Sequence, residues 1–271
     1  MGDTDDGYNG IDLEGQIATL QGLESPMSQE IASISERFNQ DGFVLVEGFL
    51  GGEEIDDLDR HLERYIQETL PRVADGYAFF ESSGAIKHIS CPEVYDDYFK
   101  QLMGRPATAR IVSACLDQPV EVIASEVFYK SAHVGSAAPY HQDNAYLYLS
   151  PAEAAVVWVA LDDVTIENGA VHYARGSHML GDQPHDRTGV SLFSKGLSQP
   201  PESAKFPEVP AIMKRGDASI HHILCAHRSG PNRTPHHRRG YVCNFKSAQA
   251  RTDKARAAVH AAYIARLKPD A

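Results

Sequence analysis

Short β-type segments separated by turn residues dominate the chain after residue 120. They cover residues 120–129, 154–161, 170–173, 218–224 and 240–245. Each is rich in β-branched, aromatic or small apolar residues, and Gly, Pro, Asn and Asp lie between them. Many short strands of this kind are typical of a β-sandwich or a β-barrel.

Helical periodicity is confined to the two ends of the chain. Residues 29–38 and 53–66 repeat apolar side chains at helical spacing, the second with Ile55, Leu58 and Leu62 on one stripe. A third helix is predicted over 252–267. The sequence therefore predicts a mainly β fold braced by flanking α-helices.

The length of 271 residues suits a single large domain. Acidic residues crowd the first fifteen positions, so residues 1–28 are predicted to form a flexible leader, and 29–271 to form one domain. Within that domain, 181–210 is a Pro- and Ser-rich insertion. Long insertions serve as lids over sites or as disordered surface loops, and both interpretations stay open.

Composition excludes several classes of protein. The net charge of −12 argues against a nucleic-acid binder, which needs a basic face. No stretch of apolar residues is long enough to span a membrane. The four cysteines form no CxxC pair, which favours a reduced, cytoplasmic protein over a disulfide framework. The sequence does not distinguish a monomer from a homodimer.

The segment around His141 and Asp143 carries the first candidate metal ligands. On a strand, residues i and i+2 project from the same face, so one imidazole and one carboxylate would reach a single metal ion. With 13 histidines in the chain, this pair alone would arise easily by chance.

A second segment completes the pattern. His227 follows the predicted strand 218–224, where a third ligand could face back across a sheet. Two histidines and one carboxylate leave open positions on Fe(II) for a cosubstrate and O2. Arg238 lies eleven residues further on, and a buried arginine is suited to a bidentate grip on a dicarboxylate.

These motifs resemble the phytanoyl-CoA dioxygenase-like family of Fe(II)/2-oxoglutarate oxygenases. The resemblance covers about residues 38–245. The matching motifs are the segment 38–50, His-Gln-Asp at 141–143, the segment 168–178 and the spacing from His227 to Arg238. It implies a double-stranded β-helix, also called a jelly roll or cupin-like core.

The resemblance also implies roles for individual residues. His141, Asp143 and His227 would be the iron ligands, and Ser229 with Arg238 would hold the distal carboxylate of 2-oxoglutarate. Trp158 would pack beside the cosubstrate, although a buried core position is an equal alternative. Phe128, on the preceding strand, is a further candidate for the cosubstrate end.

Substrate contacts are expected from two regions of the chain. One is the segment that precedes the strands, and the other flanks the metal motif. The candidates are Lys87, His88, Gln142, Asn144 and Tyr146. For the tyrosine, aromatic packing in the core is the alternative.

The function implied is hydroxylation of an unactivated C–H bond in a small-molecule metabolite, with release of succinate and CO2. The cofactor would be Fe(II), with 2-oxoglutarate and O2 as cosubstrates. The carboxylate at position 143 argues against halogenation, because halogenating relatives carry a small residue there. The same iron site could instead catalyse desaturation, epoxidation, cyclisation or epimerisation. A non-catalytic metal-binding β-barrel is the remaining alternative, which Arg238 disfavours.

Overall fold

The structure is a computed structural model that describes residues 26–190 and 192–259. Its helices are α1 (Pro26–Asp41), α2 (Gly52–Arg64), α3 (Asp97–Met103), α4 (Pro106–Leu116) and α5 (Asn144–Leu147). The predicted helices over 29–38 and 53–66 correspond to α1 and α2. Residues 254–259 are also helical, and the rest of the helix predicted over 252–267 lies outside the described residues.

The strands fall into a large sheet, a smaller sheet and short pairs. In chain order they are β1 (Phe43–Val46), β2 (Ala78–Phe80), β3 (Ile86–Ser90), β4 (Val120–Lys130), β5 (Ala138–His141), β6 (Leu149–Ser150), β7 (Ala154–Ala160), β8 (Val171–Ala174), β9 (His185–Arg187), β10 (Lys195–Leu197), β11 (Glu208–Pro210), β12 (Ala218–His222), β13 (His227–Ser229), β14 (Arg238–Ser247) and β15 (Arg251–Thr252).

Two antiparallel sheets enclose the interior. The large sheet has the order β1-β12-β7-β14-β4-β3-β2, and the small sheet has the order β11-β8-β13-β5. Aromatic packing joins them: Phe43 of β1 stacks on Tyr173 of β8, with 4.5 Å between the ring centroids. The predicted mainly β, double-stranded β-helix core with flanking helices is confirmed.

Strand alternation gives the large sheet two different faces. On β7, Ala155, Val157 and Val159 pack into the cluster that contains the buried residues of the helices. Val156 and Trp158 point the other way, towards the small sheet. This period of two therefore assigns one face to the helical layer and the other to the interior between the sheets.

The insertion at 181–210 contains paired strands. β9 and β10 pair antiparallel, and Phe193 just before β10 contacts His141, with 5.3 Å between ring centroids. This placement supports the lid interpretation over that of a disordered loop, and the lid stays a prediction.

The leader predicted over 1–28 lies outside the described residues, apart from the start of α1 at Pro26. Among the helices of the described part, none is both long and apolar enough to cross a membrane.

Candidate metal and cosubstrate site

Three side chains converge between the two sheets. His141 ends β5 and lies directly opposite His227, the first residue of the adjacent β13. Asp143 Oδ1 is 3.7 Å from His141 Nε2 and 3.6 Å from His227 Nε2. One ligand atom from each residue therefore lies within 4.8 Å of the other two, which is the spacing of a metal-binding triad.

The expected reason for the pairing of His141 with Asp143 is wrong. β5 stops at His141, and Asp143 has helical dihedral angles, φ −64° and ψ −27°, at the N-cap position of α5. The two side chains meet because the chain turns from strand into helix, not because they share one face of a continuous strand. For the same reason, Tyr146 lies on the helix and not on an extension of the strand.

Backbone carbonyls orient both imidazole rings. His141 Nδ1 lies 2.8 Å from the carbonyl oxygen of Pro139, and His227 Nδ1 lies 2.9 Å from that of Cys225. Donation from each Nδ1–H leaves the unprotonated Nε2 facing the shared centre. A metal-binding histidine needs this tautomer and this kind of anchoring.

A buried chain of hydrogen bonds fixes the carboxylate. His221 Nε2 donates to Asp143 Oδ2 at 2.9 Å, and Tyr173 Oη donates to His221 Nδ1 at 3.0 Å. Ser219 Oγ lies 2.9 Å from the same tyrosine hydroxyl. No local sequence pattern marks His221 for this role, because its proximity to Asp143 depends on how the strands pack across the interior.

Electrostatics keeps the triad ready for a cation. Burial lowers the pKa of His227 to about 3, and it lowers the pKa of His141 as well. Burial alone would raise the pKa of Asp143, but the adjacent His227 and His221 hold it well below its usual range. The site therefore offers two neutral imidazoles and an ionised carboxylate near neutral pH, the protonation states that metal binding requires.

A buried cation, the guanidinium of Arg238, lines the cavity that also contains the three ligand side chains. Arg238 begins β14, is 3% exposed, and has an Nε without a hydrogen-bond partner among the described residues. No carboxylate among the described residues forms an ion pair with Arg238. The guanidinium lies 5.1 Å from the ring centroid of Trp158. A buried, unpaired guanidinium is costly unless an anion meets it.

Trp158 is held close to the β14 backbone. A Cβ added at Gly240 would lie 2.0 Å from Trp158 Cζ2, so only glycine leaves room for the indole. Ser229, on β13, is buried and lines the same cavity, as does Phe128 on β4. Four of the residues expected at the cosubstrate end, including Arg238, are thus brought together.

Two buried lysines, Lys87 and Lys130, also line this end of the cavity. Lys130 lies opposite Arg238 in the β4–β14 register, and burial, together with Arg238 and Lys87, lowers the pKa of its amine well below 10.5. Lys87 Nζ lies 3.8 Å from Glu81 Oε2. Glu81 therefore lies beside Lys87, whereas the guanidinium of Arg238 has no ion-pair partner among the described residues, which suits an anionic ligand.

The five predicted substrate contacts separate into two groups. Lys87 lines the cavity of about 100 Å³ that holds the triad, and His88 lines the adjoining space. Gln142 instead donates to the carbonyls of Gly181 and Leu224, and Asn144 bonds the backbone of Leu149. Their polar groups serve the local fold.

Tyr146, the fifth candidate, lies at the edge of the adjoining space. Its hydroxyl donates to the carbonyl of Lys195 at the start of β10. This hydrogen bond connects α5 to the insertion at 181–210. A second connection comes from Gln142, whose side-chain oxygen accepts a hydrogen bond from the backbone N–H of Gln183.

The residues present fit iron and 2-oxoglutarate. Two imidazole nitrogens and one carboxylate on one side of a centre match a facial Fe(II) site with open positions. The partnerless Arg238 Nε provides an anchor for a carboxylate in the same cavity. Fold and site together define a non-haem iron, 2-oxoglutarate-type jelly roll.

Comparison with known proteins identifies the family. The family model described as Phytanoyl-CoA dioxygenase (PhyH) matches residues 38–240. The chain therefore belongs to the PhyH family. The expected cofactor, Fe(II), and the cosubstrates 2-oxoglutarate and O2 are confirmed as those of the family, and the triad fits the iron.

Individual relatives agree with this assignment. A phytanoyl-CoA dioxygenase domain-containing protein 1 homolog of Caenorhabditis briggsae is 23% identical over 266 residues, covering 81% of this chain and 92% of the relative. The non-heme monooxygenase ThoJ superposes with a TM-score of 0.68 at 28% identity, covering 81% of this chain and 79% of ThoJ. EvdO2 of Micromonospora carbonacea, solved with 2-oxoglutarate, superposes with a TM-score of 0.63 at 25% identity, covering 84% of this chain and 92% of EvdO2.

Proposed function

We propose that this protein is an Fe(II)- and 2-oxoglutarate-dependent oxygenase that hydroxylates a C–H bond of a small molecule, with release of succinate and CO2. One observation carries the proposal: the triad of His141, Asp143 and His227 shares a cavity with the buried, unpaired Arg238. A structural metal site would not need such an anion anchor.

Each residue has a defined task in this proposal. His141, Asp143 and His227 hold iron, while Arg238 and Ser229 bind the distal carboxylate of 2-oxoglutarate. When bound, iron with 2-oxoglutarate and O2 supplies the oxidising chemistry that breaks a C–H bond. The protein contributes orientation and exclusion of water.

The cavity walls are suited to those two tasks. Trp158 and Phe128 shape the cosubstrate end, and Phe193 of the insertion packs against His141, where it shields the triad from solvent. His221 donates a hydrogen bond to Oδ2 of Asp143, which leaves Oδ1 as the oxygen that would bind the metal.

Hydroxylation is the favoured outcome because Asp143 supplies the third ligand. A halogenase-like site would need that position open for a halide. ThoJ, to which this chain is similar, is described as a non-heme monooxygenase, which supports oxygen insertion. A cytoplasmic location and the choice between monomer and homodimer stay predictions.

Isotope labelling tests the proposal. Iron-loaded protein supplied with 2-oxoglutarate and ¹⁸O₂ should form succinate carrying one labelled oxygen. With a turned-over substrate, the product should carry the second labelled atom. Asp143→Ala should abolish both signals. Labelled succinate with an unlabelled product would replace hydroxylation by desaturation, cyclisation or epimerisation, and the absence of labelled succinate would refute the oxygenase assignment.

A further inference from the structure

The cavity is electrostatically polarised along strand β4. Lys130, Phe128 and Glu126 alternate onto the same face of the strand and all three line the cavity. Lys130 lies at the end of the cavity that holds the guanidinium of Arg238. Glu126 lies four residues away, about 13 Å along the strand at about 3.3 Å per residue. The end of the cavity remote from Arg238 is therefore acidic.

Among the described residues, no donor forms a hydrogen bond with the carboxylate of Glu126. Its side chain is 27% exposed, and within the described ranges its sole ion-pair neighbour is His88, with 3.7 Å between Nε2 and Oε2. That separation is too long for a hydrogen bond. An ionised carboxylate can only accept, so it needs a donor from the ligand or from water.

The imidazole of His88 is a second polar group that lacks a hydrogen bond within the described residues. It is 3% exposed, and neither ring nitrogen has a hydrogen-bond partner in the described part of the chain. It lies opposite Phe128 in the β3–β4 register, and it and Glu126 both line the space adjoining the triad. A buried imidazole with two unsatisfied nitrogens is expected to be satisfied by a ligand.

Aromatic rings surround these two groups. The ring centroid of His88 is 4.6 Å from that of Phe128 and 5.6 Å from that of Phe79. Phe193 of the insertion stacks on Phe128 at 6.4 Å. Aromatic faces around a carboxylate favour a cationic group over an anionic one.

We infer that Glu126 and His88 form a subsite for a protonated amino group, and that the substrate is a small primary or secondary amine. This inference rests on the proposed function, because it uses the end of the cavity left free by 2-oxoglutarate. The ammonium N–H groups donate to the Glu126 carboxylate and to the unprotonated nitrogen of His88. Phe79, Phe128 and Phe193 enclose its carbon atoms.

The alternatives are less favourable on physical grounds. A carboxylate or phosphate group at this end would face Glu126 directly, and like charges close together are unfavourable. A hydroxyl group could donate one hydrogen bond but would leave the negative charge uncompensated. A protonated amine satisfies both acceptors and balances the charge.

The test compares amines with matched neutral molecules. Full-length iron-loaded protein would be given 2-oxoglutarate, O2 and one probe from two pairs: piperidine with tetrahydropyran, and cyclohexylamine with cyclohexanol. Succinate formation is followed against probe concentration. We expect at least one amine to reach half-saturation at a concentration at least about tenfold below that of its neutral counterpart, as a hydrogen bond to a charged group predicts.

Two variants make the test specific. Glu126→Gln should reduce the preference to about twofold or less, because an amide lacks the charge. Glu121→Gln is the matched control on the same strand, since Glu121 lies at the surface and pairs with Lys246, and it should keep the preference. The visible charge-transfer band of the iron–2-oxoglutarate complex should form in both variants, which shows that they are folded.

The outcomes separate this inference from the proposed function. Three results would overturn the amine subsite and leave the oxygenase assignment intact. They are an equal response to amines and neutral probes, a preference for amines that survives Glu126→Gln, and no response to any amine while the charge-transfer band forms normally. Failure of the band in the unaltered protein would instead remove the proposed function, and the subsite inference with it.

Discussion

Replacing Arg238 with methionine should stabilise the protein while it abolishes cosubstrate binding. Burial lowers the pKa of this guanidinium from 12.5 to about 10, so it stays charged near neutral pH. A base whose pKa is lower in the folded state is penalised while it is charged. At about 1.4 kcal/mol per pKa unit, retaining this charge costs the folded protein about 3 kcal/mol.

Methionine removes the charge and keeps most of the apolar volume. The loss of the contact with Trp158 costs about 1 kcal/mol, and imperfect packing costs about 1 kcal/mol more. We therefore expect the free energy of unfolding of the protein without iron and 2-oxoglutarate to rise by about 1 kcal/mol. Affinity for 2-oxoglutarate should fall at least about a hundredfold, because two charge-assisted hydrogen bonds are lost.

Arg239→Met is the matched control at the next residue. Arg239 forms ion pairs with Asp162 at 2.7 Å and Asp59 at 2.6 Å, and its side chain is 15% exposed. Removing it leaves Asp162 without an ion-pair partner among the described residues and Asp59 with Arg215 alone, so the free energy of unfolding should fall by about 2 kcal/mol. It lies outside the cavity, so affinity for 2-oxoglutarate should not change.

Urea unfolding would measure the free energy of unfolding, and anaerobic titration would measure the affinity for 2-oxoglutarate. If Arg238→Met unfolds more easily than the unaltered protein, Arg238 has a structural partner and the reasoning about an uncompensated charge fails. If the variant binds 2-oxoglutarate with unchanged affinity, the carboxylate anchor lies elsewhere.

Three further predictions follow from the same geometry. His221→Phe removes the hydrogen bond to the carboxylate ligand and should weaken Fe(II) binding about 10- to 100-fold in a chelator-competition titration; unchanged affinity would show that this bond has no role in metal binding. Gly240→Ala forces the ring of Trp158 to move and should lower the free energy of unfolding by about 1–3 kcal/mol in urea, whereas an unchanged urea midpoint would contradict the close packing. Burial lowers the pKa of His222 to about 4, so unfolding adds a proton to this residue below about pH 6.5, and His222 should contribute about 2 kcal/mol to the loss of stability from pH 6.5 to pH 5, beside the contributions of His141 and His227. His222→Gln should remove that contribution, and an equally steep slope in the variant would assign the effect to the other histidines.

Much of the fold follows from local patterns. The short runs of β-branched, aromatic and small apolar residues that became β4, β7, β12 and β14 are local patterns, and so is the helical stripe that became α2. Both kinds of element were therefore predictable from the sequence. Three helices of the described residues, α3, α4 and α5, were not predicted from the sequence. They are short, and the hydrophobic stripe that marks α2 is less distinct in them.

The site was less accessible because it depends on contacts between strands distant in sequence. The identity of the triad followed from motif order, yet the turn that places Asp143 did not. The roles of His221, Glu126 and Lys130 depend on register across the sheets, which no local pattern reveals. The same holds for Gln142, whose amide bonds to backbone groups about 40 and 80 residues away.

The most direct test of the account is an anaerobic titration of the iron(II)-loaded protein with 2-oxoglutarate. Bidentate chelation at an open iron site produces a visible metal-to-ligand charge-transfer band. We expect the band to saturate in the unaltered protein and to be absent in His141→Ala and His227→Ala. A protein that binds iron at the triad but shows no band with saturating 2-oxoglutarate would contradict the central claim.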